Sequence, residues 1–144
     1  MATVSQIMIK RPKSIGPKAS IAGAAKAMRQ ARLGSLLVKK GKQVVGIVTD
    51  SDIVRRGVAS GKPLGKLTVE KIMTAPVCTI EEKEAVDDAQ DMMAELGVRH
   101  LAVTKGGEIV GIISVRDLLL HYKRYAQSKI STEVTYEEPK ITQD

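Results

Sequence analysis

Two stretches of this chain place a hydroxyl three residues ahead of a carboxylate, where an apolar run stops. GIVTDSDIV, residues 46–54, carries Thr49 and Asp52. GIISVRDLL, residues 111–119, carries Ser114 and Asp117. A carboxylate one helical turn past a strand can accept charge-assisted hydrogen bonds from both hydroxyls of a sugar. The hydroxyl beside it can bond sugar or phosphate oxygens, and a helix N-terminus offers free N–H groups and a positive dipole end to phosphate. The same residue types also cap helices, a role worth about 1 kcal/mol each. Capping alone does not explain why the aspartate recurs at the same offset while Asp50 gives way to Val115.

Other chemistry finds little footing. Gly61-Lys62 fails the phosphate-loop template, because the required upstream glycine is missing and Pro63 stands in place of Ser or Thr. No Ser/His/Asp or Cys/His set suggests a nucleophile, so no catalytic residue and no enzymatic activity are expected. Cys78 has no Cys or His partners at metal spacing, so no metal site is expected. Asp50 and Asp52 lie close together without the other marks of an acid–base pair.

The two stretches belong to a longer repeat. Sliding the chain by 65 residues lays residues 4–57 on 69–122 with 15 of 54 positions identical and no gap. Val4, Ile7 and Met8 fall on Val69, Ile72 and Met73, Met28 on Met93, and Val38 on Val103. Each copy opens with a short helical segment and a brief extended piece, at residues 13–15 and 77–80. Ile21, Ala24, Ala25 and Met28 then follow helical spacing, as do Val86, Ala89, Met92, Met93 and Leu96. Two apolar runs follow, residues 36–38 and 44–48, joined through residues 39–42. Their counterparts, 101–103 and 109–113, join around Gly106-Gly107, and both pairs read as hairpins. The order is β-α-β-β-α, twice: residues 1–59, a linker at 60–65, residues 66–126, and a polar tail at 127–144. About 55 residues without aromatic core residues bury too little surface to stand alone, so the copies should pack sheet to sheet about a pseudo-twofold axis.

Composition narrows the partners. Phe and Trp are absent, so the core is aliphatic, with Met8, Met28, Met73, Met92 and Met93 among its candidates. Aromatic platforms for single-stranded nucleic acid are missing too. Residues 1–65 hold 13 Lys/Arg against two acids, and residues 66–144 hold 10 against 14. The basic half suits a phosphate-bearing partner, a solvated face, or the acidic half of a second subunit. No apolar run approaches the ~18 residues of a membrane span, and a signal-peptide h-region is lacking, so the cytoplasm is the expected location.

The repeat resembles the tandem cystathionine-β-synthase (CBS) domain pair, or Bateman module, over roughly residues 4–122. The resemblance rests on the paired β-α-β-β-α order, the leading Ile-Met segments and the doubled G-h-x-[ST]-x-x-D motif at Gly46–Asp52 and Gly111–Asp117. It implies an α/β (α+β) fold of two packed repeats that binds AMP, ADP, ATP or S-adenosylmethionine as a regulatory ligand, without a catalytic cofactor. Carried over residue by residue, cleft one would take Thr49 and Asp52 with Val77, Cys78, Thr79, Ile80, Arg99 and His100. Cleft two would take Ser114, Arg116 and Asp117 with Lys13, Ser14, Ile15, Gly34 and Ser35. Arg99-His100 stands where related nucleotide sensors place phosphate contacts, whereas the first copy has Gly34-Ser35. The resemblance also implies a disc-like homodimer, and the uneven charge favours a head-to-tail one. Output would pass to a separate effector protein. The rival is a nucleic-acid binder using Lys10, Arg11, Lys13, Lys39, Lys40, Lys42, Arg55 and Arg56; a purely structural dimer with empty clefts is the third reading.

Overall fold

Alternating helical and β periodicities resolve, in a computed structural model describing residues 2–130, into two small sheets flanked by helices. The first copy contains α1 (Val4–Ile7), β1 (Ile9–Lys10), β2 (Ser14–Ile15), α2 (Ile21–Ala31), β3 (Ser35–Lys40), β4 (Gln43–Thr49) and α3 (Asp50–Asp52). A π-helical turn (Ile53–Gly57) and a 3-10 turn (Val58–Ser60) extend α3. The second copy contains a 3-10 turn (Val69–Lys71), β5 (Thr79–Glu81), α4 (Val86–Leu96), β6 (His100–Lys105), β7 (Glu108–Ser114) and α5 (Val115–Ile130). Helix α5 therefore takes in residues 127–130 of the expected tail; residues 131–144 lie outside the described residues.

The sheets run β2-β3-β4 and β1-β7-β6-β5. In each, a parallel pair (β2 with β3, β5 with β6) is joined through a helix, and an antiparallel hairpin follows. Both hairpins shift register at the same place, between Val38 and Lys39 and between Val103 and Thr104. The first turn is tighter than the expected 39–42 loop. Lys39 and Lys40 take ladder positions opposite Val44 and Gln43 with their side chains in water. The second turn uses Gly106 and Gly107, both at positive φ, as a two-residue hairpin turn of type I′ requires.

Neither copy completes its own core. Val4, fully buried, packs with Ile80, Val86, Ala89, Met93, Leu101, Val103, Ile113 and Leu118 of the second copy. Its N–H donates to the Glu84 carbonyl at 2.8 Å, and β1 then joins β7 with Ile9 opposite Ile112. Reciprocally, Val69 and Ile72 sit among Ile21, Ala24, Met28, Leu36, Val38 and Val48 of the first copy. The Val69 N–H donates to Ala19 at 2.8 Å, and Thr74 bridges to Ile47 on β4. The packing unit is thus not the sequence repeat: each leading segment crosses over. A third cluster, Leu37, Ile47 and Ile112, closes the seam between the sheets.

The crossover explains the glycine of the doubled motif. A Cβ on Gly46 would stand 2.7 Å from the Met73 sulfur and 2.9 Å from the Thr74 carbonyl. On Gly111 it would stand 2.6 Å from the Met8 sulfur and 2.8 Å from the Ile9 carbonyl. The methionine can swing away, but the backbone carbonyl cannot without breaking the bridge. Gly46→Ala and Gly111→Ala should each cost about 1–3 kcal/mol of stability, the usual penalty for overpacking. Urea midpoints would measure it, and unchanged midpoints would show that the crossover tolerates a methyl.

Candidate functional site

The hydroxyl–carboxylate pairs form capping boxes. Thr49 ends β4 in extended conformation, and its Oγ1 accepts the Asp52 N–H at 3.2 Å. Asp52 Oδ2 accepts the Thr49 N–H at 3.0 Å and its hydroxyl at 3.1 Å. The second copy repeats this: Asp117 Oδ2 accepts the Ser114 N–H at 2.8 Å and its hydroxyl at 2.9 Å, and Ser114 Oγ accepts the Asp117 N–H at 3.3 Å. Capping thus uses one carboxylate oxygen. The other, Oδ1, takes no part in either box. On Asp52 it faces the Arg56 Nε at 3.9 Å, too long for a hydrogen bond. The bland and the ligand-binding roles of these residues are therefore compatible.

Each box opens into a cavity. The first, about 320 Å³, is lined by Thr49, Ser51 and Asp52 of the first copy and by Thr74, Cys78, Arg99 and His100 of the second, with Ile47, Arg55, Arg56, Gly97 and Val98 completing it. The second, about 760 Å³, is lined by Ser114, Arg116 and Asp117 together with Gly34, Ser35, Asp50, Arg32 and Ile9, and again by Arg99 and His100. Leu33, Ile112, Val115, Leu119 and Leu120 supply its apolar wall. Of the expected cleft-one residues the structure gathers Thr49, Asp52, Cys78, Arg99 and His100. Val77, Thr79 and Ile80 do not line it. Ile80 is buried in the second core, Val77 packs on the inter-sheet cluster, and Thr79 stands opposite Ala102 on the edge strand β5. Of cleft two, Gly34, Ser35, Ser114, Arg116 and Asp117 come together, whereas Lys13, Ser14 and Ile15 stay out. Ile15 packs on the first core, Ser14 pairs along β2, and Lys13 is held by the Leu37 N–H donating to its carbonyl at 3.0 Å.

Several lining residues escaped the sequence reading. Arg55 and Arg56 follow Asp52 by three and four positions, a spacing that places them on its helix face. Arg56 Nη1 also donates to the Ile72 and Met73 carbonyls at 3.3 and 3.4 Å, tying that helix to the crossed-over segment. Arg32 ends α2 in left-handed conformation (φ 54°), where its counterpart is Gly97 (φ 67°). Asp50, set aside because Val115 replaces it in the second copy, turns out to line the larger cavity. Thr74 and Ile9 reach the cavities through the crossover.

Burial drives the His100 pKa below its ordinary 6.5, and Arg99 pushes the same way; the carboxylates of Asp50, Asp117 and Asp52 oppose this without reversing it. The imidazole is neutral near pH 7. Because folding lowers this pKa, the unfolded chain binds the proton more tightly, and stability falls as pH drops below about 6.5 toward the folded-state value. The thermal midpoint of the wild type should therefore fall more steeply than that of His100→Asn between about pH 7 and 5. Parallel curves would show that the ring is not desolvated.

Against known proteins, the sequence profile of the CBS domain matches twice, at residues 4–59 and 69–124. An uncharacterized 17.7 kDa protein of Acidianus ambivalens is 44% identical over 121 residues, 82% of this chain and 72% of that one. A solved protein with CBS domains from Burkholderia ambifaria superposes with a TM-score of 0.81 at 30% identity, over 95% of this chain and 100% of that one. The CBS domain pair of protein MJ0100, solved with 5′-methylthioadenosine and S-adenosyl-L-methionine, superposes with a TM-score of 0.79 at 28% identity, over 87% and 98%. The doubled capping box, the two pseudo-equivalent cavities and the matched repeats agree, and the chain belongs to the CBS-domain family as a tandem pair.

Proposed function

We propose that this chain is a regulatory module that holds an adenosine-type ligand, either an adenine nucleotide (AMP, ADP or ATP) or S-adenosylmethionine, in the clefts between its two CBS domains. The carrying observation is the pair of capping boxes, each leaving one aspartate oxygen outside the box, that of Asp52 3.9 Å from the Arg56 Nε, on a residue lining a cavity that also holds arginines. Both volumes, about 320 and 760 Å³, fall in the range of small-molecule sites. The oxygens outside the boxes suit a ribose diol, the hydroxyls and helix N-termini suit the adjoining oxygens, and Arg99 with Arg55 or Arg116 suits phosphate. That MJ0100 was solved with two adenosyl compounds supports the reading. The ligand acts by population shift: bridging the two domains, it favours one relative orientation and so changes affinity for an effector protein. A cytoplasmic setting accords with such ligands, and no helix among the described residues is long and apolar enough to cross a membrane.

Calorimetry with AMP, ADP, ATP and S-adenosylmethionine, then short RNA and DNA, at two salt concentrations tests this. Small-ligand heat is expected. Asp52→Asn and Asp117→Asn keep a capping acceptor, so stability should fall by no more than about 1 kcal/mol. Affinity at the altered cleft should fall by roughly 10-fold or more, the worth of a hydrogen bond to a charged group. Steeply salt-dependent binding of RNA or DNA without small-ligand heat would favour the nucleic-acid reading instead.

The module is further proposed to pair head to tail. Each copy carries an apolar groove beside its first long helix. One, floored by Met28, Leu33, Ile53 and Val54, is rimmed by Arg29 and Arg32. The other is floored by Met93, Val98, Leu118 and Leu119. Helix α2 carries Lys26 and Arg29 with no acid, while α4 carries Asp87, Asp88, Asp91 and Glu95 with no base. Opposing the α2 groove of one copy to the α4 groove of its partner joins apolar faces and opposite charges. Zero-length amine–carboxylate cross-linking should connect Lys26 to the acids of α4 between copies. Lys26–Lys26 links under an amine-only reagent as the main product would show a head-to-head pair.

A further inference from the structure

The two cavities are not separate rooms. Arg99 and His100, at the start of β6, line both of them. By the repeat, each cavity would have its own pair at this position, but the first copy has Gly34-Ser35 there. Gly34 leaves room for the arrangement. A Cβ at Gly34 would lie 3.2 Å from Asp50 Oδ2 and 3.7 Å from His100 Nε2, so the imidazole reaches across the pseudo-twofold axis toward the space of the missing side chain. The private cations do not make up the difference evenly. Of Arg55 and Arg56 in the smaller cavity, Arg56 is bonded to the Ile72 and Met73 carbonyls. In the larger cavity, Arg32 and Arg116 stand with two carboxylates, Asp50 and Asp117. Arg99 is the arginine common to both cavities, so a phosphate in either can draw on it.

We propose that the two cavities are antagonistic sites for phosphate-bearing adenosine compounds, coupled through the Arg99–His100 wall that they share. The inference rests on the ligand class proposed above and adds how the sites interact. A phosphate paired with Arg99 in one cavity takes that cation from the other. By linkage, the penalty is the same whichever cavity fills first.

Titration calorimetry with ATP and with adenosine on the full chain tests the coupling. In the wild type ATP should bind in two steps. The second step should be weaker by about 5-fold or more than the same cavity shows in Asp52→Asn or Asp117→Asn, where the other cavity is weakened and fills later. Adenosine, lacking phosphate, should fill both cavities without that penalty. Arg99→Lys keeps a cation and should keep the penalty, whereas Arg99→Gln should weaken ATP in both cavities and abolish it. Wild-type ATP affinities equal to those of the unaltered cavity in each aspartate variant would overturn the inference, as would a penalty that survives in Arg99→Gln or appears with adenosine. Those results leave the adenosine-ligand reading standing; absence of heat from every adenosine compound would overturn both.

Discussion

The exchange of leading segments is the constraint on which the rest of the structure depends. An aliphatic unit of some 55 residues cannot enclose a core from its own sequence, and here the shortfall is met by the other unit. Val4 closes the second core, and Val69 with Ile72 closes the first. Because both exchanges pass over the hairpin strands, they also fix the relative position of the sheets, with Leu37, Ile47 and Ile112 as the seam. The close passes at Gly46 and Gly111 belong to this exchange. The glycine of the doubled motif is thus a packing residue, while the hydroxyl and the aspartate a few positions later face the clefts.

That division lets one short motif serve the packing of the crossover and the lining of a cleft together. The capping box needs one carboxylate oxygen and the hydroxyl; it starts a helix just where β4 or β7 ends. The carboxylate of a residue that lines the cavity is thereby held in one orientation. A side chain fixed by backbone hydrogen bonds loses little freedom when a ligand arrives, which is the condition for a preorganised site. The small first cavity and the larger second one then differ through what the repeat does not share: Arg55 against Leu120 and Thr74 against Ile9.

Much of the fold was legible because the repeat has no gap. Helical spacing at Ile21, Ala24 and Met28, and again at Val86, Ala89 and Met93, marked the buried faces of α2 and α4, and those residues are buried, whereas Ala25 and Leu96, read on the same spacing, are exposed and Met92 is half-buried, because they sit at the edge of the apolar face. The hairpins were legible from two apolar runs around glycine, although Lys39 and Lys40 prolong the ladder beyond the apolar residues. The π turn at Ile53–Gly57 was not legible, since no local pattern distinguishes it from the α-helix that Asp50–Asp52 begins. In the clefts, residues near the motif or at its repeat-related positions came together, whereas the early strands did not. Ile80, Ile15 and Val77 of that region are instead committed to apolar clusters, contacts made far along the chain.

The sequence by itself determined the duplication, the element order, the hydroxyl–carboxylate pairs and the imbalance of charge, because these rest on local spacing and on residue type. Only the tertiary structure decided which segment fills which core, that Ile80 is packing and Asp50 is lining, and that one Arg99–His100 pair serves two cavities. Those outcomes depend on contacts across 65 residues and across a pseudo-twofold axis. A pattern repeated along the chain says that two sites are alike; it does not say that they share a wall.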